Sequence, residues 1–457
     1  MELKDLAFRR NYPAFHYKSY HIQKDDGRIT LRFDFEIPGL CTFSPTTVIE
    51  TGNLSLMNPP DDEAAGELVF SLGLVECVSY LKAVCPERLV VHCGALSEED
   101  RRWWQKLYYH GLGEFLYRND LQTDEQSLLT ICAPEKKEAS APDARFGTDV
   151  IIPVGGGKDS AVTATLLQSC GNRIRYFTVN DQPARTATVL AAGGSERDMI
   201  RTRRTIDPNL LKLNREGFLN GHTPFSAIVA FLAAYCAYLT GSRDIVLSNE
   251  ASANESNIAG LPVNHQYSKS YEFEQDVSDY IQNRLGLPMR YFSLLRPFNE
   301  LQIAKYFAAL PAFHPVFRSC NAGSKQNIWC GHCPKCLFVY CILAPFLPKD
   351  ALDRIFGGCL TDKTELLEDF KGLCGLSPVK PFECVGTVSE LCAALQMTIQ
   401  KYQKEGIPLP ALLAYYAKET ENRPAPHDFL SDYNEENGVP AEYLPYVKEM
   451  YRYVSQH

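Results

Sequence analysis

The stretch Ile151-Ile-Pro-Val-Gly-Gly-Gly-Lys-Asp-Ser160 decides the fold of this chain. An apolar run typical of a buried strand leads into three consecutive glycines, and a helix is predicted to begin directly after them. Glycines let backbone N–H groups approach an anion, and the N-terminus of a helix adds partial positive charge. The pattern therefore predicts a phosphate-binding turn between a strand and a helix.

The side chains of this turn indicate chemistry as well as binding. Lys158 supplies a full positive charge, and Ser160 supplies a hydroxyl group. Asp159 has the wrong sign for a phosphate, so we expect it to hold Mg²⁺ between phosphates. The spacing excludes both the Gly-x-x-x-x-Gly-Lys-Ser/Thr loop and the Gly-x-Gly-x-x-Gly dinucleotide fingerprint.

Outward from the turn, predicted strands alternate with predicted helices. Runs rich in Val, Ile and aromatic residues mark the strands, at 149–154, 175–179, 244–248 and 290–294. Helical segments separate them, near 159–170, 186–200, 222–240 and 268–284. This alternation predicts an α/β fold with right-handed crossovers and a mainly parallel sheet.

The chain divides into four predicted parts. Residues 1–132 are expected to form an α+β domain, with a hairpin around the Asp-Gly at 26–27 and a capping box at Ser97. The polar, Pro-containing residues 133–147 are predicted to be a linker. Residues 148–318 form the predicted nucleotide-binding α/β domain, and 319–457 a Cys-rich, then mostly helical region.

Four cysteines after the α/β domain have the spacing of a metal site. They are Cys320, Cys330, Cys333 and Cys336. Four thiolates close a tetrahedral site without an open coordination position, so we expect a structural Zn²⁺. An iron–sulfur cluster could use the same thiols, and His332 or His314 could replace one ligand.

Composition limits the class of protein. The chain has 457 residues, of which 45% are apolar and 22% charged, as in soluble globular proteins of two or three domains. The net charge of −9 disfavours broad binding to nucleic acid or to an anionic membrane. The longest uncharged apolar run, 227–239, is shorter than the ~20 residues of a membrane span. Sixteen cysteines and a start without an apolar signal segment predict a cytoplasmic location.

The glycine turn resembles the Ser-Gly-Gly-x-Asp-Ser loop of the PP-loop ATP pyrophosphatases, with Gly155 in the place of the serine. This resemblance implies that ATP is cleaved to AMP and pyrophosphate while a substrate oxygen is adenylated. The cysteine spacing is similar to that of the zinc site in 7-cyano-7-deazaguanine synthases.

Seven longer stretches together resemble the UDP-N-acetylmuramoyl-L-alanyl-L-glutamate epimerases of peptidoglycan precursor synthesis. They are Tyr108-Tyr-His-Gly-Leu-Gly-Glu-Phe-Leu-Tyr-Arg-Asn119, Asn220-Gly-His-Thr-Pro224, Ser248-Asn-Glu-Ala-Ser252, Val263-Asn-His-Gln-Tyr-Ser-Lys269, Tyr291-Phe-Ser-Leu-Leu-Arg-Pro297, Trp329-Cys-Gly-His-Cys-Pro-Lys-Cys336 and Lys380-Pro-Phe-Glu-Cys-Val-Gly386. The resemblance covers about residues 75 to 390 and is far more specific than any one motif.

This second resemblance implies an ATP- and Mg²⁺-dependent inversion of the terminal L-Glu of UDP-MurNAc-L-Ala-L-Glu through an acyl-adenylate. The residues implied for the nucleotide are Gly155, Gly156, Gly157, Lys158, Asp159, Ser160, Asn249 and Glu250. Inversion needs a base on one face and an acid on the other. The candidates for these roles are His265, Lys269, Glu383 and Cys384.

Each acid–base candidate also has a structural interpretation. His265 could bond a backbone carbonyl group, and Glu383 with Cys384 could only order the C-terminal region. Lys269 and Arg296 could be ion-pair partners or could bind substrate phosphates. The sequence decides neither between these interpretations nor the oligomeric state.

Two other functions stay open at this point. The chain could be another PP-loop enzyme that acts on a nucleobase or tRNA, such as a deazaguanine nitrile synthase, a tRNA thiolase or a lysidine synthase. The net negative charge weakens the tRNA version, since phosphate contacts need clustered Lys and Arg. A non-catalytic ATP-binding or zinc-dependent interaction protein is the other alternative, against which Lys158, Asp159 and Ser160 argue.

Overall fold

A computed structural model describes residues 1–136, 142–254, 267–378, 380–381, 383, 385–424 and 426–456. In this part of the chain, eleven strands join into one sheet. They are β1 (Ala14–Asp25), β2 (Arg28–Ile37), β3 (Cys41–Phe43), β4 (Thr46–Glu50), β5 (Arg88–Val91), β6 (Thr130–Cys132), β7 (Val150–Pro153), β8 (Ile174–Val179), β9 (Met199–Thr205), β10 (Asp244–Leu247) and β11 (Arg290–Ser293). Their order is β11-β10-β7-β8-β9-β4-β2-β1-β5-β6, and β3 pairs with β2 beside this path.

Helices pack on the sheet and continue into the C-terminal region. They are α1 (Ala7–Asn11), α2 (Glu63–Leu81), α3 (Glu98–Gly111), α4 (Gly113–Arg118), α5 (Glu125–Leu128), α6 (Lys158–Ser169), α7 (Pro183–Ala191), α8 (Pro208–Arg215), α9 (Phe225–Thr240), α10 (Tyr271–Asp279), α11 (Glu300–Ala308), α12 (Pro334–Leu343), α13 (Lys349–Phe356), α14 (Leu367–Leu373), α15 (Val388–Glu405), α16 (Ala411–Glu419) and α17 (Leu444–Ser455). The predicted α/β class is confirmed, with a large mixed sheet.

The half of the sheet that holds the glycine turn is parallel. Strands β11, β10, β7, β8 and β9 all pair in parallel. The chain runs from β7 outward through β8 to β9 and then returns to the other side of β7 as β10. The direction of travel thus reverses between β7 and β10, and open α/β sheets bind ligands at such a switch point.

Strand β7 explains why helices cover both faces of this half. Val150 and Ile152 belong to one buried apolar cluster, which includes residues of α6, while Ile151 belongs to the other, which includes residues of α9. Alternate residues of a strand point to opposite faces. An uninterrupted apolar run such as 150–152 is therefore what a strand with helices on both sides requires.

Strand β9 joins the two halves of the sheet. It pairs in parallel with β8 and antiparallel with β4, so the sheet continues from the parallel half into the N-terminal strands. The predicted helix at 186–200 was wrong at its C-terminal end, because α7 ends at Ala191 and Met199 already begins β9. The domain boundaries at 132, 147 and 318 stay predictions.

A buried ion pair crosses this junction. Arg204 of β9 donates to both carboxylate oxygens of Glu76 on α2, at 2.5 and 2.6 Å, and to the Ser79 hydroxyl at 3.0 Å. The side chains of Arg204 and Glu76 are 7% and 1% exposed. Helix α2 has the length and apolar composition of a membrane span, but most of its residues are buried inside the protein.

We expect Glu76→Ala to lower the free energy of unfolding by about 3–5 kcal/mol, because the change leaves a buried guanidinium without its carboxylate. Urea denaturation followed by circular dichroism measures this loss. Glu98→Ala is the matched control, since Glu98 is exposed and its pairs lie on the surface. A loss below about 1 kcal/mol for Glu76→Ala would contradict the assignment of this pair as a structural link.

Candidate active site

A cleft of about 620 Å³ lies at the switch point of the sheet. Its walls come from the carboxyl ends of β7, β8 and β10, from the glycine turn, and from the segments 268–269 and 318–321. One cleft therefore brings together parts of the chain that are far apart in sequence. This is the place where the strand order predicts ligand binding.

The glycine turn is held between two other segments. Gly156 has φ +84°, and a Cβ there would lie 3.3 Å from the Cβ of Ala184. A Cβ on Gly157 would lie 3.2 Å from the Cβ of Ser319. The Arg318 N–H donates to the Gly156 carbonyl group at 2.7 Å. The turn thus requires small residues, and it fixes the N-terminus of α6 at the cleft, where an anion is favoured.

Lys158 is buried beneath the turn and pairs with the carboxylates of Asp159 and Glu300. Burial lowers the pKa of Lys158, but the negative charges of Asp159, Glu300 and Glu250 outweigh this effect and raise the pKa above its usual range. Burial also raises the pKa of the Glu300 carboxyl group, although Lys158 opposes the shift. One lysine therefore faces three acidic groups.

Asp159 differs from the other acidic groups because its side chain is 32% exposed and lines the cleft. Carboxylate oxygens are ligands that Mg²⁺ prefers, usually together with substrate phosphates. The residues present thus fit the predicted Mg²⁺.

Two arginines offer unused donors at the cleft. The Nε atoms of Arg185 and Arg318 are buried and have no hydrogen-bond partner among the described residues, and the same holds for the Ser248 hydroxyl. Burial lowers the pKa of both arginines. A buried donor without a partner is costly. Both arginines line the cleft, so their positive charge is available there for an anionic ligand.

Arg296 fixes the positions of two cleft segments. It is fully buried, and its guanidinium group pairs with Glu274 at 2.7 Å. It also donates to the carbonyl groups of Glu250 and Lys269, at 2.7 and 2.8 Å. The interpretation of Arg296 as an ion-pair partner is therefore the one that the structure shows.

The four predicted metal ligands lie together. The Sγ atoms of Cys320, Cys330, Cys333 and Cys336 are all within 4.8 Å of one another. Two pairs are 3.8 and 3.6 Å apart. Tetrahedral Zn–S bonds of ~2.3 Å separate two sulfurs by about 3.8 Å, so the cluster has the size of a zinc site.

Backbone N–H groups stabilise two sulfurs of the cluster, while burial raises the pKa of Cys330 and the hydrogen bond with Cys333 raises the pKa of Cys336. The Gly323 N–H donates to the Cys320 sulfur at 3.2 Å, and the Cys336 N–H donates to the Cys333 sulfur at 3.4 Å. The Cys336 thiol and this N–H group lower the pKa of Cys333 to about 5. A thiolate is the form that binds a metal. The cluster could hold a metal ion such as Zn²⁺.

Two sequence models of one family match the chain, the MurL N-terminal domain at residues 7–294 and the MurL C-terminal domain at residues 316–427. The chain belongs to the MurL family. It is similar to proteins named UDP-N-acetyl-alpha-D-muramoyl-L-alanyl-L-glutamate epimerase from three bacteria. The Salinispora tropica protein is 35% identical, with 85% of each chain covered.

The other two relatives support the same family. The Micromonospora protein is 36% identical, with 90% of this chain and 92% of the relative covered. The Xanthomonas oryzae protein is 37% identical, with 71% of this chain and 72% of the relative covered. The predicted membership in the epimerase family is confirmed, and with it the prediction that the chain is an isomerase.

Within this MurL chain, the predicted site residues fall into three groups. Those that line the cleft are Gly155, Gly157, Asp159, Ser160, Asn249, Lys269 and Glu383. Gly156 forms the turn, while the side chains of Lys158 and Glu250 are buried. His265 and Cys384 lie outside the described residues. Their predicted roles stay predictions.

Sequence reasoning missed several groups that shape the site. Glu300 is the first residue of α11, whose capping box is formed by Asn299 and Gln302. An acidic residue is ordinary at this position, so no motif marks Glu300 as part of a site. Glu390 accepts hydrogen bonds from the Glu300 N–H at 2.9 Å and the Ser252 hydroxyl at 2.7 Å. His222 lines the cleft and lies in a stretch that carried the family resemblance. A search for polar residues in such stretches could have found His222.

We expect Cys333→Ser to reduce the bound metal of the purified MurL protein well below one equivalent and to lower its melting temperature. The reason is that removal of one thiolate opens a closed four-sulfur site. Metal analysis and thermal unfolding measure the two effects. Cys170→Ser is the matched control, because Cys170 is a half-buried free thiol outside the cluster. Equal metal content in both variants would contradict a metal site at these cysteines.

Proposed function

We propose that the protein converts the terminal L-Glu of UDP-MurNAc-L-Ala-L-Glu to D-Glu in a reaction that consumes ATP. The names of the similar bacterial proteins support the substrate and the inversion. The glycine turn at the switch point, with its buried lysine and neighbouring arginines, supports the nucleotide. The glycine turn carries the proposed use of ATP through its resemblance to the PP-loop, because the diphosphate of the substrate would by itself also need a phosphate site.

Activation of the carboxylate is the chemical reason for ATP. The Cα–H beside a free carboxylate is a very weak acid, because its deprotonation adds a second negative charge to the first. Attack of a carboxylate oxygen on the α-phosphorus of ATP releases pyrophosphate and leaves an acyl-adenylate, in which the former carboxylate is an uncharged acyl group. Each pK unit gained in Cα acidity is worth about 1.4 kcal/mol. Hydrolysis after inversion then releases AMP and the D-epimer.

The turn residues would hold the nucleotide. Backbone N–H groups of Gly155, Gly156 and Gly157, together with Ser160, are proposed to bind the β- and γ-phosphates. A Mg²⁺ held by Asp159 would neutralise charge on the phosphates. Lys158 would keep the turn and Asp159 in place and contribute its charge from below.

Residues at the end of β10 would complete the nucleotide site. Asn249 lines the cleft directly after this strand, and Glu250 is buried beside it. The Ser293 hydroxyl donates to the Asn249 carbonyl group at 2.6 Å, and Arg296 fixes Glu250. These contacts support a fixed position for the segment of Asn249 and Glu250, which would orient the nucleotide.

Proton transfer would use side chains of the same cleft. Lys269 and Glu383 line it from different segments, and the Asn321 amide donates to Glu383 at 3.2 Å. His265 and Cys384 stay proposed partners in the inversion. Groups from several segments are what the reaction needs, because the base and the acid act on opposite faces of Cα.

The cysteine cluster is proposed to bind a structural Zn²⁺. Its first ligand, Cys320, follows Arg318 and Ser319, which contact the glycine turn. The metal would thereby stabilise one wall of the cleft without a part in the chemistry. We propose a cytoplasmic location, as for a nucleotide-linked precursor enzyme, with no nucleic acid or membrane partner.

We expect one deuterium at the glutamyl Cα of the product when the reaction runs in D₂O with UDP-MurNAc-L-Ala-L-Glu, ATP and Mg²⁺. Mass spectrometry and chiral analysis of the released glutamate measure label and configuration. Without ATP, both inversion and deuterium uptake are expected to be absent. Inversion at full rate without nucleotide would contradict the proposal.

Asp159→Asn is expected to lower the rate of inversion by about 100-fold or more, since it removes the charge proposed to hold the cation. A steady-state assay with varied Mg²⁺ measures the loss. Asp25→Asn, in the hairpin of β1 and β2, is the matched control and should leave the rate unchanged. An Asp159→Asn variant with the rate of the unchanged protein would exclude Asp159 as the cation ligand.

A further inference from the structure

His222 is a histidine that lines the cleft beside the predicted site residues. Its side chain is 24% exposed, and it reaches the same cleft as Asp159 and Lys269. Its neighbours in the cleft wall are Phe225 and Ser226 at the start of α9. The imidazole group of His222 therefore faces the cleft and is not part of the apolar core.

A buried carboxylate lies behind this histidine. The Nδ1 atom of His222 is 3.7 Å from an Oε atom of Glu114 on α4. The Glu114 side chain is 6% exposed, and its other carboxylate oxygen accepts from Arg118 Nε at 2.5 Å. At this distance the contact is electrostatic: the carboxylate attracts a proton to Nδ1, which would leave Nε2 as the acceptor. Arg118 in turn fixes the position of Glu114.

The loop that carries His222 is held by the N-terminal part of the chain. Lys82 donates through Nζ to the Gly221 carbonyl group, and the Asn119 amide donates to the Asn220 carbonyl group at 3.2 Å. Gly221 has φ +156°, and a Cβ there would lie 3.1 Å from the Phe115 ring. These contacts come from the region of α2 and α4. They place the imidazole group at the cleft before any ligand binds.

We propose that His222 is a catalytic residue that transfers the proton at the glutamyl Cα, and that Glu114 is its positioning residue. This inference deepens the proposed function and depends on it for the substrate. Nε2 takes the Cα proton, and the electron pair of the C–H bond enters the enolate of the activated glutamyl group. An acid on the opposite face, with Lys269 as the candidate, donates a proton to Cα. His222 then returns its proton to water, and Lys269 takes one proton from water, so both groups are restored.

The arrangement suits inversion rather than simple binding. His222 and Lys269 both line the cleft and come from different segments, and inversion needs two groups that act on opposite faces of Cα. A histidine can exchange its proton near neutral pH, and a nearby carboxylate stabilises the imidazolium form. The N-terminal region thereby gains a role in the chemistry, because it supplies Glu114 and holds the loop.

The test measures two partial reactions of the full-length protein separately. One is the loss of the Cα proton in D₂O, starting from the L-substrate and, in a second assay, from the D-product. The other is substrate-dependent exchange between ATP and labelled pyrophosphate. His222→Asn is expected to slow Cα exchange of the L-substrate by about 10²–10⁴-fold, and that of the D-product less, while pyrophosphate exchange continues. Glu114→Gln is expected to slow Cα exchange less and to leave the KM for the dipeptidyl nucleotide unchanged.

The controls separate this role from a structural one. His21→Asn is the matched control, because His21 also contacts a carboxylate, that of Asp34 at 3.0 Å, but it is outside the cleft. It should leave both partial reactions unchanged. His222→Gln replaces His222→Asn if circular dichroism shows that the asparagine variant does not fold.

Two results would overturn the proposal. One is undiminished Cα exchange in a folded His222 variant, and the other is an equal loss of Cα exchange and pyrophosphate exchange, which would assign His222 to nucleotide binding. Cα exchange by the unchanged protein without ATP would instead refute the proposed function. The His222 variants would then still be compared by Cα exchange alone, so the two failures are distinguishable.

Discussion

The hydrogen bond from the Arg318 N–H to the Gly156 carbonyl group is the contact on which the site depends. It joins the glycine turn to the segment that leads directly into the cysteine cluster. Only small residues fit on the turn side, because Ala184 and Ser319 lie against it. The glycine turn, the segment that leads into the cysteine cluster and one wall of the cleft are therefore in direct contact.

The continuous sheet connects the N-terminal region to the part of the chain that forms the cleft. Strand β9 pairs with β4, and Arg204 with Glu76 closes the junction between sheet and helix. The same region holds the loop of His222. On the other side of the cleft, Arg296 fixes the carbonyl groups of Glu250 and Lys269. The cleft is thus assembled from both halves of the sheet by buried polar contacts.

The sequence was sufficient where one local pattern determined the structure. Apolar runs and the glycine turn predicted β7, β8, β10 and β11, and cysteine spacing predicted a cluster whose four sulfurs do lie together. It failed at β9, because the arginines of this strand are stabilised by partners such as Glu76, which are remote in sequence. Glu300 and Glu390 were missed because their partners are also remote in sequence. In the sequence, each lies in the first turn of a helix that has a capping box, which is an ordinary structural pattern. Family resemblance, rather than periodicity, supplied the predicted substrate.

The central claim is that the glutamyl carboxylate is joined to AMP before the stereocentre inverts. Substrate with ¹⁸O in the α-carboxylate of its terminal glutamate tests it most directly, because the attacking oxygen becomes the bridge to phosphorus and stays there when water attacks the acyl carbon. Mass spectrometry of the nucleotide product is expected to show AMP with one ¹⁸O atom for each inversion. Unlabelled AMP, with all of the label retained in the D-epimer, would contradict cleavage at the acyl carbon, and inversion without formation of AMP would contradict the central claim itself.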